Sequence, residues 1–142
     1  MKVIDVNILA YVASRPSALH KPVLAWWTAA LRDNEPVALS WTVITGFLRV
    51  VTNPRALEIP LTAQEALDRV ETWLSHPTVC LIRETDDHWS TLRELIEEND
   101  ISGKRVTDAH LAAMAISRGA TLVSCDRDFA RFPQLRWENP LT

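Results

Sequence analysis

The sequence predicts a single α/β domain with a central parallel sheet of four to five strands flanked by helices. Short apolar stretches alternate with amphipathic helical stretches along the whole chain. The length of 142 residues is typical of one domain, and a composition that is 47% hydrophobic and 23% charged is typical of a compact fold. No repeat, linker or low-complexity segment interrupts this order, so one domain over residues 1–142 is predicted.

The first half of the chain contains two predicted strands and three predicted helices. In order they are a strand over 2–6, a helix over 17–33, a strand over 37–39, a helix over 41–52 and a helix from 62 to about 75. The pair Asn53-Pro54 ends the second helix, because the residue before a proline avoids helical geometry. Thr62 with Glu65 three residues later is the pattern of a capping box, and Pro77 stops the third helix.

The second half repeats the alternation. In order we predict a strand over 79–82, an acidic amphipathic helix over 87–98, a polar loop over 99–104, a helix over 107–116 and a strand over 121–124. Thr107 is predicted to cap its helix and Gly119 to close it. The tail carries apolar residues that are predicted to pack back onto the sheet and end in a short strand: Phe129, Phe132, Leu135 and Trp137.

Charge and hydropathy narrow the class of protein. A net charge of −3 argues against a protein that coats nucleic acid through bulk electrostatics. Acids concentrate over 84–100, whereas arginines and lysines outnumber acids from 104 onward, which predicts either a basic surface beside an acidic pocket or ordinary solvated faces. No apolar run approaches the roughly 18 to 20 residues of a membrane span, and no signal-peptide core is present, so a cytoplasmic protein without membrane contact is expected.

Several chemistries are excluded or disfavoured by residue content. The chain has only three glycines, so it cannot contain a P-loop, the GxGxxG motif of dinucleotide-binding folds or the GxSxG nucleophile elbow of α/β-hydrolases. The four histidines lack zincin spacing, and His110 is expected to face solvent or pack beside its helix start. Cys80 and Cys125 form no CxxC pair and are expected to be reduced and largely buried. The six tryptophans could stack unpaired bases, but Trp26, Trp27 and Trp73 are interpreted mainly as core or dimer-interface residues.

Three acids are predicted at the carboxyl edge of the sheet, where α/β folds place their active sites. Asp5 and Asp126 follow strands, and Asp108 begins a helix; each could instead serve only as a helix cap or turn residue. Strands one and four can be neighbours, which would bring these acids and Asp128 into one pocket. Converging carboxylates repel one another, and a hard divalent cation with oxygen ligands relieves that repulsion. Mg²⁺, or Mn²⁺ in its place, is therefore the predicted cofactor.

Two polar residues stand beside these acids. Asn7 and Ser124 could hold metal-bound waters or could simply be turn residues. Phosphodiester hydrolysis needs a deprotonated water and a countercharge for the transition state, and a carboxylate-held cation supplies both.

Four segments carry a family resemblance in their order and separations. They are Val3–Asn7 (VIDVN), Phe47–Pro54 (FLRVVTNP), Val106–Ala113 (VTDAHLAA) and Ser124–Phe129 (SCDRDF). Together they resemble the motifs of the PIN-domain VapC toxins over essentially the whole chain. The resemblance implies one PIN-like domain, homodimerisation, Mg²⁺- or Mn²⁺-dependent RNA cleavage, and inhibition by a small VapB-type antitoxin whose tail enters the active site.

One position departs from that pattern. Many PIN domains carry a glutamate immediately before the phenylalanine of the second motif, where this chain has Gly46. The predicted site is therefore one acid short, and either a single cation is held or binding waits for substrate phosphate. Arg49, three residues later on the same helical face, could contact phosphate or pair with a pocket acid. Arg127 and Arg131 are weaker candidates for contacts with the RNA backbone.

The predicted function is a site-selective, metal-dependent endoribonuclease acting as the toxin of a type II toxin–antitoxin system. Asp5, Asp108 and Asp126 are the predicted catalytic metal ligands, with Asp128 in support. In-line attack by water predicts 5′-phosphate and 3′-hydroxyl ends. The alternative is a catalytically weak or inactive PIN-like module that binds RNA or antitoxin, and a phosphatase or DNA nuclease with the same carboxylates is a third possibility.

Overall fold

Five parallel strands form one sheet in the order β3-β2-β1-β4-β5 in the computed structural model, which describes all 142 residues. The strands are β1 (Lys2–Ile4), β2 (Val37–Ser40), β3 (Val79–Ile82), β4 (Thr121–Val123) and β5 (Arg136–Glu138). Lys2 in the central strand is in register with Val37 on one side and Thr121 on the other. The predicted neighbourhood of the first and fourth strands is thereby confirmed.

Six helices connect and cover the strands. They are α1 (Val6–Ala13), α2 (His20–Arg32), α3 (Trp41–Val51), α4 (Ala63–Leu74), α5 (His88–Asn99) and α6 (Arg105–Ile116). A short 3-10 helix, Arg127–Arg131, lies between β4 and β5. α1 packs against α2 and α3, and α5 packs against α6. None of these helices combines the length and apolarity that a membrane span requires.

The core lies on both faces of the sheet. All four residues of β2 are buried, which happens only when helices cover the two faces to which successive side chains point. Aromatic residues extend the core between helices, since Trp73 meets Trp27 and Phe47 edge to face with ring centroids 5.6 and 5.0 Å away. Trp27 and Trp73 are therefore core residues, as predicted. Trp26 is half-buried and donates its indole N–H to Glu138 over 2.6 Å.

Local signals predicted most element boundaries to within a few residues. The capping box forms as expected: the Thr62 hydroxyl accepts from the Glu65 amide, and the Glu65 carboxylate accepts from the Thr62 amide, each over 3.1 Å. The tail packs back and forms β5, with Phe129 and Phe132 buried. Both cysteines are free and half-buried, which makes them more exposed than the sequence suggested.

Two local predictions were wrong. The first strand ends at Ile4 and not at Val6, because the Asp5 side chain accepts the Val6 amide and starts α1, a helix that the apolar sequence had hidden. α6 starts at Arg105, so Thr107 lies inside the helix and does not cap it. No side-chain cap replaces it at Lys104, and the preceding turn is closed by the amide of Val106 donating to the Gly103 carbonyl.

Candidate active site

Asp5 stands at the carboxyl end of the central strand, where β1 gives way to α1. Its Oδ1 accepts the Val6 amide over 2.7 Å, and its Oδ2 accepts the Ser124 hydroxyl over 2.7 Å and the Asn7 amide group over 3.1 Å. Burial raises the pKa of Asp5, and the charge of Asp126 adds to that rise while the hydrogen bonds oppose it. Asp5 is thus both the helix cap and a half-buried carboxyl held in one orientation.

Ser124 and Asn7 hold the site together. The Ser124 hydroxyl donates to Asp5 and accepts from the Asn7 side chain and from the Asp126 amide, each over 3.0 Å. The Asn7 carbonyl oxygen accepts the Cys125 amide over 3.1 Å. These bonds use the hydroxyl proton and both lone pairs of Ser124 and both N–H groups of Asn7. The two side chains therefore orient the acids, and little capacity is left for the metal-bound waters that the sequence suggested.

Replacing Ser124 with alanine is expected to destabilise the fold by about 1–3 kcal/mol, because the change removes one hydrogen bond each from the half-buried Asp5, Asn7 and Asp126 amide. Ser124 is fully buried, so water cannot substitute freely. Urea denaturation measures the loss. Ser90→Ala, at an exposed hydroxyl that caps nothing in this site, is the matched control. Equal unfolding midpoints for both variants would contradict the positioning role.

Asp126 and Asp128 follow β4 in the turn that opens the 3-10 helix. The Asp126 Oδ1 accepts the Asp128 amide over 2.9 Å, which fixes the turn. Asp128 is exposed and pairs with Arg105 at the start of α6, N to O 2.7 Å. Arg127 and Arg131 are exposed on the same short helix. The ion pair joins the β4 turn to α6, and it leaves Asp128 at the outer edge of the acid group.

Asp108 lies in the first turn of α6 and is half-buried. Burial raises its pKa most, and the charges of Asp126, Asp5 and Asp128 raise it further against the opposing effect of Arg105. The charges of Asp126, Asp5 and Asp128 therefore all affect Asp108, and the charge of Asp126 also affects Asp5, which indicates that the four acids share one region of the protein. They belong to β1, α6 and the β4 turn, which only the sheet order brings together.

This acid group suits a hard divalent cation in its chemistry. The donors are carboxylate oxygens, and the pKa values of Asp5 and Asp108 are raised by desolvation first and by repulsion from neighbouring acids second. No three Asp, Glu, His or Cys side chains are gathered tightly enough to form a ready-made metal site. Mg²⁺ in proteins is commonly held by one or two carboxylates together with waters and substrate phosphates, so the residues present fit such an ion without a closed protein cage.

The close packing of α3 on α1 leaves no room for a side chain at Gly46. A Cβ built at this buried position would lie 2.8 Å from Cγ2 of Val6, far inside van der Waals contact. Val6 is β-branched and stiff, so the contact is not easily relieved. The space in which a longer side chain would start is therefore taken by Val6, the residue next to Asp5.

Gly46→Ala is expected to destabilise the protein by up to about 2 kcal/mol. Overpacking costs roughly 1–3 kcal/mol, and the better helix propensity of alanine offsets about 1 kcal/mol of that cost. In a Val6→Ala background the same change is expected to be neutral or stabilising, because the clashing methyl is gone. Thermal denaturation of the four proteins of this double-mutant cycle measures the coupling. Additive effects would show that the Val6 contact is not what excludes a side chain at Gly46.

Two hollows meet at Asp5 and Val6. One, of about 330 Å³, lies between α3 and α6 and is lined by Thr42, Thr45, Arg49 and Thr107 among others. The sequence allowed Arg49 either to contact phosphate or to pair with a pocket acid. Arg49 forms no ion pair within 4.0 Å, so the second role is not seen in this structure. The other, of about 470 Å³, lies on the α1 side.

A pair of histidines beside the smaller hollow had no sequence signal. His88 Nε2 lies 2.9 Å from His110 Nδ1, and His110 Nε2 faces Thr42 Oγ1 at 3.3 Å and Glu84 Oε1 at 3.6 Å. The sequence left open whether His110 faces solvent or packs beside the start of its helix. The residue is half-buried in the first half of α6, which agrees with the second expectation. Because the two histidines are 22 residues apart on different helices, no spacing rule could pair them.

Acidification is expected to weaken the fold through His110. Burial lowers its pKa from 6.5, the proximity of His88 lowers it further and Glu84 opposes the change, so the unfolded chain takes up this proton at higher pH than the folded chain. Stability is then lost as pH falls below 6.5 and the loss is complete at the folded pKa. Comparing unfolding free energies at pH 7.5 and 5.5 for the native protein and His110→Gln isolates the effect. An identical pH dependence in both would refute it.

Comparisons with known proteins point to one domain family. The sequence model of the PIN domain matches residues 2–135. VapC ribonuclease Mb2897 of Mycobacterium bovis is 38% identical over 99% of this chain and 96% of its own, and ribonuclease VapC37 of Mycobacterium tuberculosis is 35% identical over 99% and 97%.

Solved structures share the fold at lower identity. VapBC2 from Rickettsia felis, bound to a DNA fragment from its promoter, superposes with a TM-score of 0.72 at 20% identity over 97% of each chain. VapC20 of Mycobacterium tuberculosis, a sarcin-ricin loop cleaving toxin, superposes with a TM-score of 0.69 at 18% identity, over 96% of this chain and 99% of its own. The parallel sheet and its helices are therefore common to all of them.

Proposed function

The chain belongs to the PIN-domain family of VapC ribonucleases, and on that premise we propose that it is the toxin of a type II toxin–antitoxin system, a site-selective endoribonuclease dependent on Mg²⁺ or Mn²⁺. The observation that carries the proposal is the group of acids at the carboxyl edge of the sheet. The charge of Asp126 raises the pKa values of Asp5 and Asp108, and the charge of Asp5 raises that of Asp108. Such a group suits phosphodiester chemistry at a bound cation.

Asp5, Asp108 and Asp126 would hold the ion, and Asp128 would support them from its pair with Arg105. When bound, the cation would supply an activated water and offset the charge that develops on phosphate oxygens. Ser124 and Asn7 keep the Asp5 carboxylate in one orientation for this task. Arg49, free of ion pairs in the neighbouring hollow, binds an RNA phosphate.

RNA is the proposed substrate, and the products are expected to carry 5′-phosphate and 3′-hydroxyl ends. The partner proposed is a VapB-type antitoxin, since solved relatives include VapBC complexes. A homodimer acting in the cytoplasm is proposed from the same resemblance, and the exposed indoles of Trp41 and Trp89, 52% and 70% accessible, are available for its interface.

A non-catalytic PIN-like module is the second candidate. One observation favours it: a Cβ at Gly46 would lie 2.8 Å from Cγ2 of Val6, so this packing excludes a further acid from that position of α3. Such a module would bind RNA or antitoxin without cleaving RNA.

Cleavage of total cellular RNA by purified, antitoxin-free protein separates the two candidates. The reactions contain Mg²⁺, Mn²⁺ or EDTA, and matched RNA and DNA oligonucleotides test for the 2′-hydroxyl. Discrete RNA fragments that appear only with metal support the nuclease, and end analysis should give 5′-phosphates. Intact RNA in every reaction would favour the non-catalytic module, and 2′,3′-cyclic ends would refute hydrolysis by in-line water.

A further inference from the structure

The larger hollow at Asp5 is built differently from the one that contains Arg49. It has a volume of about 470 Å³ and lies between α1, the turn that follows α1, and the segment 56–58 after α3. Its apolar wall consists of Val6, Ala10, Val50 and Leu57. This volume lies in the range of about 300–1,000 Å³ that is typical of small-ligand sites, so an apolar planar group can enter it.

Three polar groups face this hollow without a partner from the protein. They are the Tyr11 phenol, the Ser14 hydroxyl and the Glu58 carboxylate; the hydrogen bonds formed by Tyr11 and Ser14 use their backbone atoms, and Glu58 forms no ion pair. Burial raises the pKa of Tyr11, and Cys125 contributes to the rise, so the phenol keeps its proton and can donate. The hollow thus combines an aromatic ring, an apolar wall and unused hydrogen-bonding groups.

Asp5 and Val6 belong to both hollows and lie between them. On one side Arg49 offers positive charge, which suits phosphate. On the other side half of the lining is apolar, Tyr11 adds an aromatic ring, and the two charged groups, Asp5 and Glu58, are both negative, which does not suit phosphate. A polynucleotide that crosses Asp5 therefore meets a surface for its backbone and, next to it, a surface for a base.

Resting on the proposed function, we propose that the hollow lined by Tyr11, Leu57 and Glu58 binds an unpaired nucleobase adjacent to the cleaved phosphate, with preference for a base that presents hydrogen-bond donors. Guanine meets this requirement, because its N1–H and N2 amino group can both donate to one carboxylate. A base inside a duplex cannot reach the hollow without leaving its stack, so the substrate is RNA in a loop or single strand.

The test measures binding separately from cleavage. Asp108→Asn protein, in which cleavage is expected to be at least about 100-fold slower, is titrated with short fluorescent uridine-rich RNAs that carry at one position guanosine, inosine, uridine or an abasic site. Guanosine is expected to bind about tenfold or more tightly than uridine, as charge-assisted hydrogen bonds imply. Inosine, which lacks the N2 amino group, is expected to lose part of that preference, and a duplex containing the same guanosine should lose all of it.

Variants at the hollow identify where the preference arises. Glu58→Gln, added to Asp108→Asn, should remove the preference for guanosine, measured as the ratio of guanosine to uridine RNA affinity, because the loss of one negative charge affects both RNAs alike. Leu57→Ala should weaken binding of every base but not of the abasic RNA. Glu94→Gln on α5, an exposed acid remote in sequence from these residues, is the matched control and should retain the preference.

Each outcome bears on the inference independently of catalysis. A guanosine preference that Glu58→Gln removes supports the base site even if the wild-type protein cleaves nothing, in which case only the proposed nuclease fails. Metal-dependent cleavage by the wild-type protein with equal binding of guanosine and abasic RNA overturns the base site and leaves the nuclease in place. Loss of antitoxin binding in Glu58→Gln, with RNA binding unchanged, would also overturn it by assigning the hollow to a peptide.

Discussion

Asp108→Asn is expected to lower RNA cleavage by roughly 100-fold or more and at the same time to raise the melting temperature of the metal-free protein. The activity falls because Asp108 is one of three acids proposed to hold the cation, whose contribution of several kcal/mol corresponds to at least two powers of ten in rate. The stability rises because burial and the charges of Asp126, Asp5 and Asp128 all disfavour an ionised Asp108.

The stabilisation should depend on pH with a defined sign. The folded pKa of Asp108 lies above 3.8, so the folded protein binds this proton at a pH where the unfolded chain has released it. The destabilisation by Asp108 is complete above the folded pKa, shrinks as pH falls toward 3.8 and vanishes below it. The advantage of asparagine is therefore largest at neutral pH and declines in acid.

Cleavage assays and thermal melts at pH 7.5 and 4.5 measure both effects. Asp86→Asn, at an exposed acid between β3 and α5, is the matched control and should change neither quantity. Full cleavage activity in Asp108→Asn would exclude this carboxylate from the chemistry. A lower melting temperature at neutral pH would show that Asp108 is held by favourable contacts and not by repulsion from its neighbours.

Phe129→Ala is expected to destabilise the protein by about 3–5 kcal/mol, the largest loss of stability among the changes considered. Phe129 is 1% exposed and its ring centroid lies 6.3 Å from that of Phe132. It anchors the 3-10 helix whose first turn contains Asp128 and whose cap is Asp126. Loss of the ring leaves a cavity and frees the turn that carries two of the four acids.

Urea denaturation measures this loss, and RNA cleavage well below the melting temperature reports on the loosened turn. Phe129→Leu should lose less stability because it fills more of the cavity, and Ala130→Ser, at the exposed neighbouring position, should change little. A loss below 1 kcal/mol in Phe129→Ala would mean that the turn is held by its hydrogen bonds alone.

Features that depend on neighbours along the chain could be predicted from the sequence. The alternation of apolar strands and amphipathic helices predicted the fold class and the order of nearly all elements, and Thr62 with Glu65 predicted a cap that forms as expected. These signals work because helix and cap hydrogen bonds join residues a few positions apart. The acids were recognised in the same way, from their positions after strands and at a helix start.

The wrong or missing predictions have one cause: contacts between residues distant in sequence overrode the preferences of the local sequence. The stretch 6–13 is rich in β-branched and apolar residues, yet it is helical because Asp5 caps it and because five of its residues are buried in the core. Gly46 seemed only a missing acid until the packing of α3 on α1 brought Val6 within 2.8 Å of its Cβ position. His88 and His110 meet because α5 packs on α6.

The sequence by itself determined the kind of chemistry available: carboxylates in the order and setting of a PIN domain, on an α/β frame. Only the tertiary structure decided how those residues work together. Ser124 binds Asp5 across 119 positions, and Asn7 binds Ser124 across 117, because β1 and β4 are neighbours in the sheet. A buried polar group must find a partner wherever the fold supplies one, and strand order, which no local pattern encodes, determines which partner that is.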